Sequence, residues 1–258
     1  MPDLRISVRL SAFNLPFKKA LLAASQAGAQ GIEIDARNEL QPTDLTDTAK
    51  RQIRKMLDDL NLRVSSLRFP TRRGYEVMAD LDRRIDATKK VMRMAYDLGA
   101  GHVVNQIGRV PSDTESASWV QLRSSLEDLA NFGNRVGTFL AAETGSESGE
   151  DLAALLSSLS DVYMPVAYNP GQLILNQFDP HAALNALTQY VGIVESQDGV
   201  QDLARGRGIE VPLGQGTADF PQILGQLEDA QYRGWFVVGR TGCGQAEVAN
   251  AISYLTAL

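Results

Sequence analysis

The alternation of short apolar runs with longer helical patterns constrains the fold of this chain most. Eight runs have the apolar and β-branched composition of strands, and a helical pattern follows each of them. Parallel strands need a crossover connection, usually a helix, so this alternation predicts βαβ units. Eight units in succession predict a fold of the α/β class, a single (β/α)8 TIM barrel. The predicted strands are 4–10, 31–35, 62–69, 102–107, 137–142, 164–168, 190–195 and 235–239, and the predicted helices lie near 16–28, 44–60, 79–98, 116–134, 149–159, 180–187, 219–230 and 245–257.

The length and composition agree with one barrel domain over residues 1–258. A chain of 258 residues with 44% apolar residues can bury a large core. No linker, low-complexity tract or sequence repeat divides it.

Charge and hydropathy argue against several classes of partner. The net charge is -6, and no basic stripe is visible, so we expect no nucleic-acid partner. The N-terminal residues lack the apolar core of a signal peptide, and no apolar run approaches the roughly 20 residues of a membrane helix. We therefore expect a cytoplasmic protein without a membrane partner, and the sequence leaves its oligomeric state open.

Charged residues on the first two predicted strands point into the barrel. Alternation along "GIEID" turns Glu33 and Asp35 inward, and the same logic directs Arg5 and Arg9 inward. Isolated buried charges are costly, so these arginines and acids are expected to pair. Contact with a substrate at the top of the barrel is the alternative.

Arginines also follow several predicted strands, where the active sites of such barrels lie. A guanidinium presents a fork of donors that matches carboxylate or phosphate oxygens, which favours a small anionic or sugar-like ligand. Pairing with loop acids is the alternative explanation. The predicted substrate-binding residues are Arg9, Arg37, Arg68, Arg109, Asn169, Gln172, Asp198 and Arg240.

The stretch "VPLGQGTADFPQILGQL", residues 211–227, has glycines that permit tight turns before a helical pattern. It is not a P-loop, because no Gly-Lys-Ser/Thr follows. Two interpretations remain open: a phosphate held by backbone N–H groups near Thr217 and Ala218 at a helix N-terminus, or a purely structural turn.

Several motifs resemble those of the xylose isomerase-like barrel superfamily. The most specific is "EVPLGQGTADFPQILGQLEDAQYRGWFVV", and "GIEID", "AYDLGAGHVV", "AAETG" and "YNPGQLI" are weaker matches along nearly the whole chain. The superfamily contains sugar and sugar-phosphate isomerases and epimerases, and a DNA-repair endonuclease branch. The resemblance therefore implies proton transfer on a sugar-like substrate; the endonuclease branch is disfavoured, because this chain has only two histidines and no basic surface.

The resemblance also implies a divalent cation between carboxylates and a histidine, with two glutamates that move the proton. Glu143 matches the glutamate of the fifth strand. Asn169 stands where the family has an aspartate, and Gln172 where the endonuclease branch has a histidine. Glu195 replaces the histidine of the seventh strand.

Two further positions complete this comparison. Asp198 matches the aspartate three residues later, but Gly239 stands at the position of the second catalytic glutamate. The resulting ligand set is poorer than that of the family, so we expect no cofactor, with weak binding of Mg²⁺ or Mn²⁺ as the alternative.

These substitutions leave three hypotheses about function. The first is an isomerase or epimerase without a resident metal, with Glu143 as proton-transfer base, Glu195 as its catalytic partner and Arg68, Arg109 or Arg240 as electrophiles. The second is a catalytically inactive barrel that binds a sugar, sugar acid or phosphate as a sensor or accessory protein. The third is a charged network that only stabilises the fold, with function in a protein contact.

Overall fold

Eight parallel strands close into a barrel in the computed structural model, which describes residues 4–160, 162–202, 204 and 206–258. The neighbours around the barrel are β1-β10-β7-β6-β5-β4-β3-β2. This arrangement confirms the predicted (β/α)8 fold. The barrel strands are β1 (Arg5–Arg9), β2 (Gly31–Asp35), β3 (Arg63–Arg68), β4 (His102–Asn105), β5 (Phe139–Glu143), β6 (Val166–Tyr168), β7 (Val191–Glu195) and β10 (Trp235–Val238).

Helices follow the strands and surround the barrel. They are α1 (Phe17–Gln26), α2 (Asp47–Asp59), α3 (Leu81–Leu98), α4 (Ala117–Val136), α5 (Gly149–Ser157), α6 (Pro170–Leu175), α7 (Pro180–Leu187), α8 (Phe220–Asp229) and α9 (Gln245–Ala257). Many of these helices have an N-cap side chain that accepts a hydrogen bond from the first turn. The hydroxyl of Ser116 accepts from the backbone N–H of Trp119, and the carboxylate of Asp179 accepts from His181 and Ala182.

One helix and one hairpin were not predicted from the sequence. Helix α6 begins directly after β6, because Asn169 caps it and Pro170 suits the first helical position. A two-stranded antiparallel hairpin, β8 (Asp198–Val200) with β9 (Ile209–Val211), follows β7. The predicted boundaries of the barrel strands differ from the observed ones by a few residues, as at β4, which ends at Asn105 rather than at 107.

The apolar core has an outer layer and an inner layer. The outer layer lies between strands and helices and includes Val8, Ile32 and Ile34. A separate inner cluster takes one residue from each of five neighbouring strands: Val104, Ala141, Ala167, Ile193 and Val237. At the level of this cluster the barrel interior is thus apolar on the β4–β10 side, with buried polar groups on the β1–β3 side and at the carboxyl ends of the strands.

The polar groups of β1 to β3 agree only partly with the expected alternation. Glu33 is fully buried and pairs with Arg9, as predicted. The prediction was wrong for Arg5, which is exposed at the bottom of the barrel with its guanidinium 4.1 Å from the centroid of the Trp235 ring. It was also wrong for Asp35, whose carboxylate accepts the backbone N–H groups of Arg37 and Asn38 and so closes a local turn.

No helix among the described residues is both long and apolar enough to cross a bilayer.

Candidate functional site

Five charged side chains gather inside the barrel, and we call them the charged centre. Four of them lie at the carboxyl ends of β1, β3, β5 and β7, and the fifth lies within β2. The members of the charged centre are Arg9, Glu33, Arg68, Glu143 and Glu195. Arg9 donates from Nε to Oε1 of Glu33 over 2.8 Å and from Nη2 to Oε2 of Glu195 over 2.5 Å. The side chain of Arg9 is only 7% exposed, and those of both glutamates are 0% exposed. The fork of one guanidinium therefore joins acids from two different strands.

Arg68 joins the other pair of carboxylates. Its Nη2 lies 2.7 Å from Oε1 and 2.6 Å from Oε2 of Glu143, which is 1% exposed. Its Nη1 lies 3.8 Å from Oε1 of Glu195. Arg68 is the one member of the charged centre with appreciable exposure, 21% of its side chain, so it faces the opening of the barrel.

Two amides extend the charged centre on the side of β6 and β7. Asn169 donates from Nδ2 to Oε1 of Glu143 over 2.9 Å and to Oε1 of Gln197 over 2.6 Å. Its Oδ1 accepts the N–H of Gln172 at the start of α6, so the cap of that helix fixes the amide orientation. The sequence predicted Asn169 as a site residue but missed Gln197. The signal for Gln197 was its place just after β7.

The charged centre contains three carboxylates and two guanidinium groups. One negative charge is therefore uncompensated in a buried setting, which favours uptake of one proton. Burial, reinforced by the charge of Glu33, raises the pKa of Glu195 well above its ordinary value. Burial also acts against the charge of Glu33, but Arg9 and Arg68 outweigh it and lower the pKa of that carboxyl. The proton thus belongs on Glu195.

Two buried atoms of the charged centre have no hydrogen-bond partner among the described residues. They are Oε1 of Glu195 and Nη1 of Arg68, which face each other across 3.8 Å. A buried donor or acceptor without a partner costs about 1–3 kcal/mol. A ligand oxygen near both atoms would satisfy the donor of Arg68 and meet the carboxyl of Glu195.

The donor set does not suit the divalent cation that the fold family implies. The described residues contain no group of three or more His, Cys, Asp or Glu side chains placed to hold a metal ion. Both oxygens of Glu143 already accept from the guanidinium of Arg68, and two amides stand beside them. A positively charged side chain between the carboxylates repels a second cation, so we derive no step through a metal.

Asp198, predicted to bind substrate, instead holds the glycine loop together. Its Oδ1 accepts the N–H groups of Gly199 and Ala218, and its Oδ2 accepts those of Gly214 and Gly216, over 2.8–3.1 Å. The N–H of Thr217 donates to the carbonyl of Gly199. The backbone donors considered for a phosphate are therefore occupied by the protein itself, which favours the structural interpretation of this loop.

The other predicted binding residues form no ion pair with a member of the charged centre in the described part of the chain. Arg240 forms a two-pronged ion pair with Glu247 of α9, with both N–O distances 2.7 Å. Arg109 lines a cavity of about 360 Å³ beside α4, and Arg37 lines one of about 690 Å³ beside α3. Gln172 lies in the first turn of α6 and is partly exposed.

Gly239 follows β10 in a backbone conformation that explains why a glycine stands there. Its φ is +105°, and a Cβ at this position would lie 2.9 Å from the Cβ of Ala12. A larger side chain would need both a strained backbone and a shift of the segment after β1. Gly239 therefore belongs to a local backbone arrangement that a glutamate could not adopt without rearrangement.

The family model described as "Xylose isomerase-like TIM barrel" matches residues 21–256. The chain is 26% identical over 254 residues to the rhizopine catabolism protein MocC of Rhizobium meliloti, which covers 87% of this chain and 74% of that protein.

Three solved structures share the fold. A xylose isomerase domain protein from Planctomyces limnophilus has a TM-score of 0.87 at 20% identity, covering 99% of this chain and 97% of its own. A xylose isomerase-like TIM barrel protein from Mycobacterium smegmatis in complex with magnesium has a TM-score of 0.77 at 16% identity, covering 98% of this chain and 95% of its own. D-allulose 3-epimerase from Methylomonas sp. in complex with D-allulose has a TM-score of 0.71 at 16% identity, covering 98% of this chain and 96% of its own. The likeness to these structures is one of fold, and the family match decides the classification: the chain belongs to the xylose isomerase-like TIM barrel family.

Proposed function

We propose that this protein is a sugar isomerase or epimerase that moves a proton with Glu143 and Glu195 and uses Arg68 where relatives use a metal ion. The observation that carries this proposal is the pair of unpartnered buried atoms, Oε1 of Glu195 and Nη1 of Arg68, 3.8 Å apart at the opening of the barrel. The family membership and the sugar epimerase among the structural neighbours support the substrate class.

The roles follow from the charges. A carbonyl oxygen of the substrate accepts a hydrogen bond from Nη1 of Arg68, and Glu195, protonated because its pKa is raised, donates its proton to that oxygen. Glu143 takes the proton from the adjacent carbon, so the C–H electron pair becomes the double bond of an enediol. Transfer of this proton from Glu143 to the other carbon, while Glu195 takes the proton of that enediol's other hydroxyl group, gives the isomer and returns both carboxyl groups to their first state. The epimer forms when a solvent proton reaches the original carbon from the opposite face, the enediol hydroxyl returns its proton to Glu195, and Glu143 releases its proton to solvent.

The strength of the electrophile sets the expected rate. A hydrogen bond to a charged group contributes about 1.5–3 kcal/mol, whereas a metal ion contributes several kcal/mol to stabilising a developing oxyanion. Arg9 adds a second positive charge, because it contacts Glu195 directly. We therefore expect slow turnover that does not depend on added metal.

Proton exchange in D₂O tests the proposal without knowledge of the product. The protein is incubated with a ketohexose, an aldohexose and their phosphates, with EDTA, and loss of the C–H signals next to the carbonyl is followed by NMR. We expect exchange with the wild type and at least a roughly 100-fold loss in Glu195→Gln, which cannot donate the proton. Glu210→Gln is the matched control, because Glu210 is a partly buried acid with a raised pKa outside the charged centre.

A second candidate is a binding barrel without catalysis. The near-complete burial of Glu143, Asn169 and Glu195, at 0–1% exposure, favours it, because side chains enclosed to this degree can stabilise the fold without any reaction. In this case a sugar raises the melting temperature but no C–H signal is lost.

Exchange that appears only when Mn²⁺ is added would contradict the role proposed for Arg68.

A further inference from the structure

A cavity on the carboxyl-terminal side of the barrel is separate from the charged centre. It measures about 690 Å³ and lies between the segments that follow β2 and β3 and the first half of α3. No member of the charged centre lines it. Cavities of roughly 300–1,000 Å³ hold small molecules.

The cavity is strongly cationic in a protein whose net charge is -6. Six basic side chains line it against a single acidic one, Asp80; the basic residues are Arg37, Arg72, Arg73, Arg83, Arg84 and Lys90. Like charges gathered around one space repel each other, so a fold gains nothing from this arrangement in itself. An anion that enters the cavity removes the repulsion.

Within the part of the chain that the structure describes, the six cations have no ion-pair partner. The exposed side chains of Arg72 and Arg83 are therefore free to turn toward a ligand. In this respect they differ from Arg240, which is held by Glu247.

Two of the six are already oriented by the protein. The guanidinium of Arg37 lies over the Phe69 ring, 5.1 Å from its centroid, and this cation–π contact restricts where the side chain can point. Arg84 donates to the backbone carbonyls of Val77 and Ala79, while its buried Nε has no hydrogen-bond partner among the described residues. Preorganised donors bind an anion with a smaller loss of conformational entropy.

We propose that this cavity binds a small molecule with two or more phosphate or carboxylate groups. The six cations exceed what a single monoanion can neutralise, and the volume suits a metabolite rather than a polymer. The acidic charge of the whole chain disfavours a nucleic acid, which would require a continuous basic surface. The site does not depend on the proposed isomerase chemistry, because it shares no residue with the charged centre.

Calorimetric titration with pyrophosphate, citrate and the uncharged control sorbitol tests the proposal. We expect saturable one-to-one binding of at least one polyanion, none of sorbitol, and weaker binding at higher salt. The double variant Arg72→Gln/Arg83→Gln should weaken binding by about tenfold or more, because two charged donors are lost. The control Arg51→Gln/Lys55→Gln removes the same charge from exposed positions on α2, outside the cavity, and should bind like the wild type.

The outcomes separate this site from the charged centre. Glu195→Gln should bind the polyanion as the wild type does. A preference for pyrophosphate or for citrate identifies the anionic group and supports the proposal. Absence of saturable binding up to about 10 mM, or an equal loss in both double variants, overturns it.

Discussion

Single residues set the chemistry of the barrel opening through the charges that surround them. Glu143 and Glu195 are both buried glutamates at strand ends, but Arg68 contacts both oxygens of the first and leaves Oε1 of the second without a hydrogen bond. The two carboxyl groups can therefore take different protonation states, as the acid and the base of one proton transfer require. Arg68 and Asn169 surround Glu143, whereas Arg9 and the charge of Glu33 surround Glu195.

Replacing Gly239 by a residue with a side chain should destabilise the protein. Gly239→Ala should lower the free energy of unfolding by about 2 kcal/mol, because the new Cβ meets Ala12 and φ is positive. Gly225→Ala is the control: it lies inside α8, has no atom within 4 Å of the added Cβ, and should stabilise the helix by about 0.5–1 kcal/mol. Urea unfolding measures both variants. A neutral Gly239→Ala would show that a glutamate could also be accommodated there.

Among the elements, the loop between β9 and α8 is organised by one carboxylate rather than by a ligand. Asp198 begins the β8–β9 hairpin and accepts four backbone N–H groups, three of them from residues 214–218. A Cβ on Gly216 would lie 2.1 Å from Oδ1 of Asp198, so a glycine is needed for this close approach. The hairpin and the start of α8 therefore form one unit.

Asp198→Asn tests this interpretation. Its amide can accept with one oxygen only and places an N–H₂ group against backbone donors, so we expect a loss of about 3 kcal/mol in stability. Hydrogen exchange should accelerate at Gly214, Gly216 and Ala218 and not in β5. Asp219→Asn is the matched control, because Asp and Asn cap a helix equally well. Similar exchange in both variants would contradict the role of Asp198.

The sequence predicted elements better than contacts. Strand and helix alternation is a local pattern, so the barrel and the inward direction of Glu33 could be read from it. The partners of Arg5, Asp35 and Asp198 could not, because each depends on backbone groups or rings that the fold brings near. The hairpin was missed since its strands have only three residues each, too short for a periodic signal.

Across the whole molecule, two partly buried titratable groups at opposite ends of the barrel respond to pH in opposite directions. Burial, with help from the charge of Asp35, raises the pKa of Glu39 from its ordinary value of 4.5 to about 7. Between pH 4.5 and pH 7, Glu39 therefore keeps its proton in the folded state, whereas it has lost that proton in the unfolded chain. The contribution of Glu39 to the free energy of unfolding is fully present below about pH 4.5 and is lost as the pH rises toward 7. Burial lowers the pKa of His102 to about 4, so its contribution is instead lost as pH falls below 6.5.

These two effects oppose each other between about pH 4.5 and 6.5, which hides them in the wild type and makes a variant necessary. Glu39→Gln keeps an acceptor for the N–H of Asp35 but cannot ionise. Because Glu39 is partly exposed, solvent screening reduces its effect to about 1–2 kcal/mol. We expect Glu39→Gln to match the wild type near pH 4.5 and to exceed it by that amount at pH 8, in urea unfolding measured across the range. The exposed control Glu228→Gln should follow the wild type at every pH, and a constant difference between Glu39→Gln and wild type would mean that Glu39 does not titrate in this window.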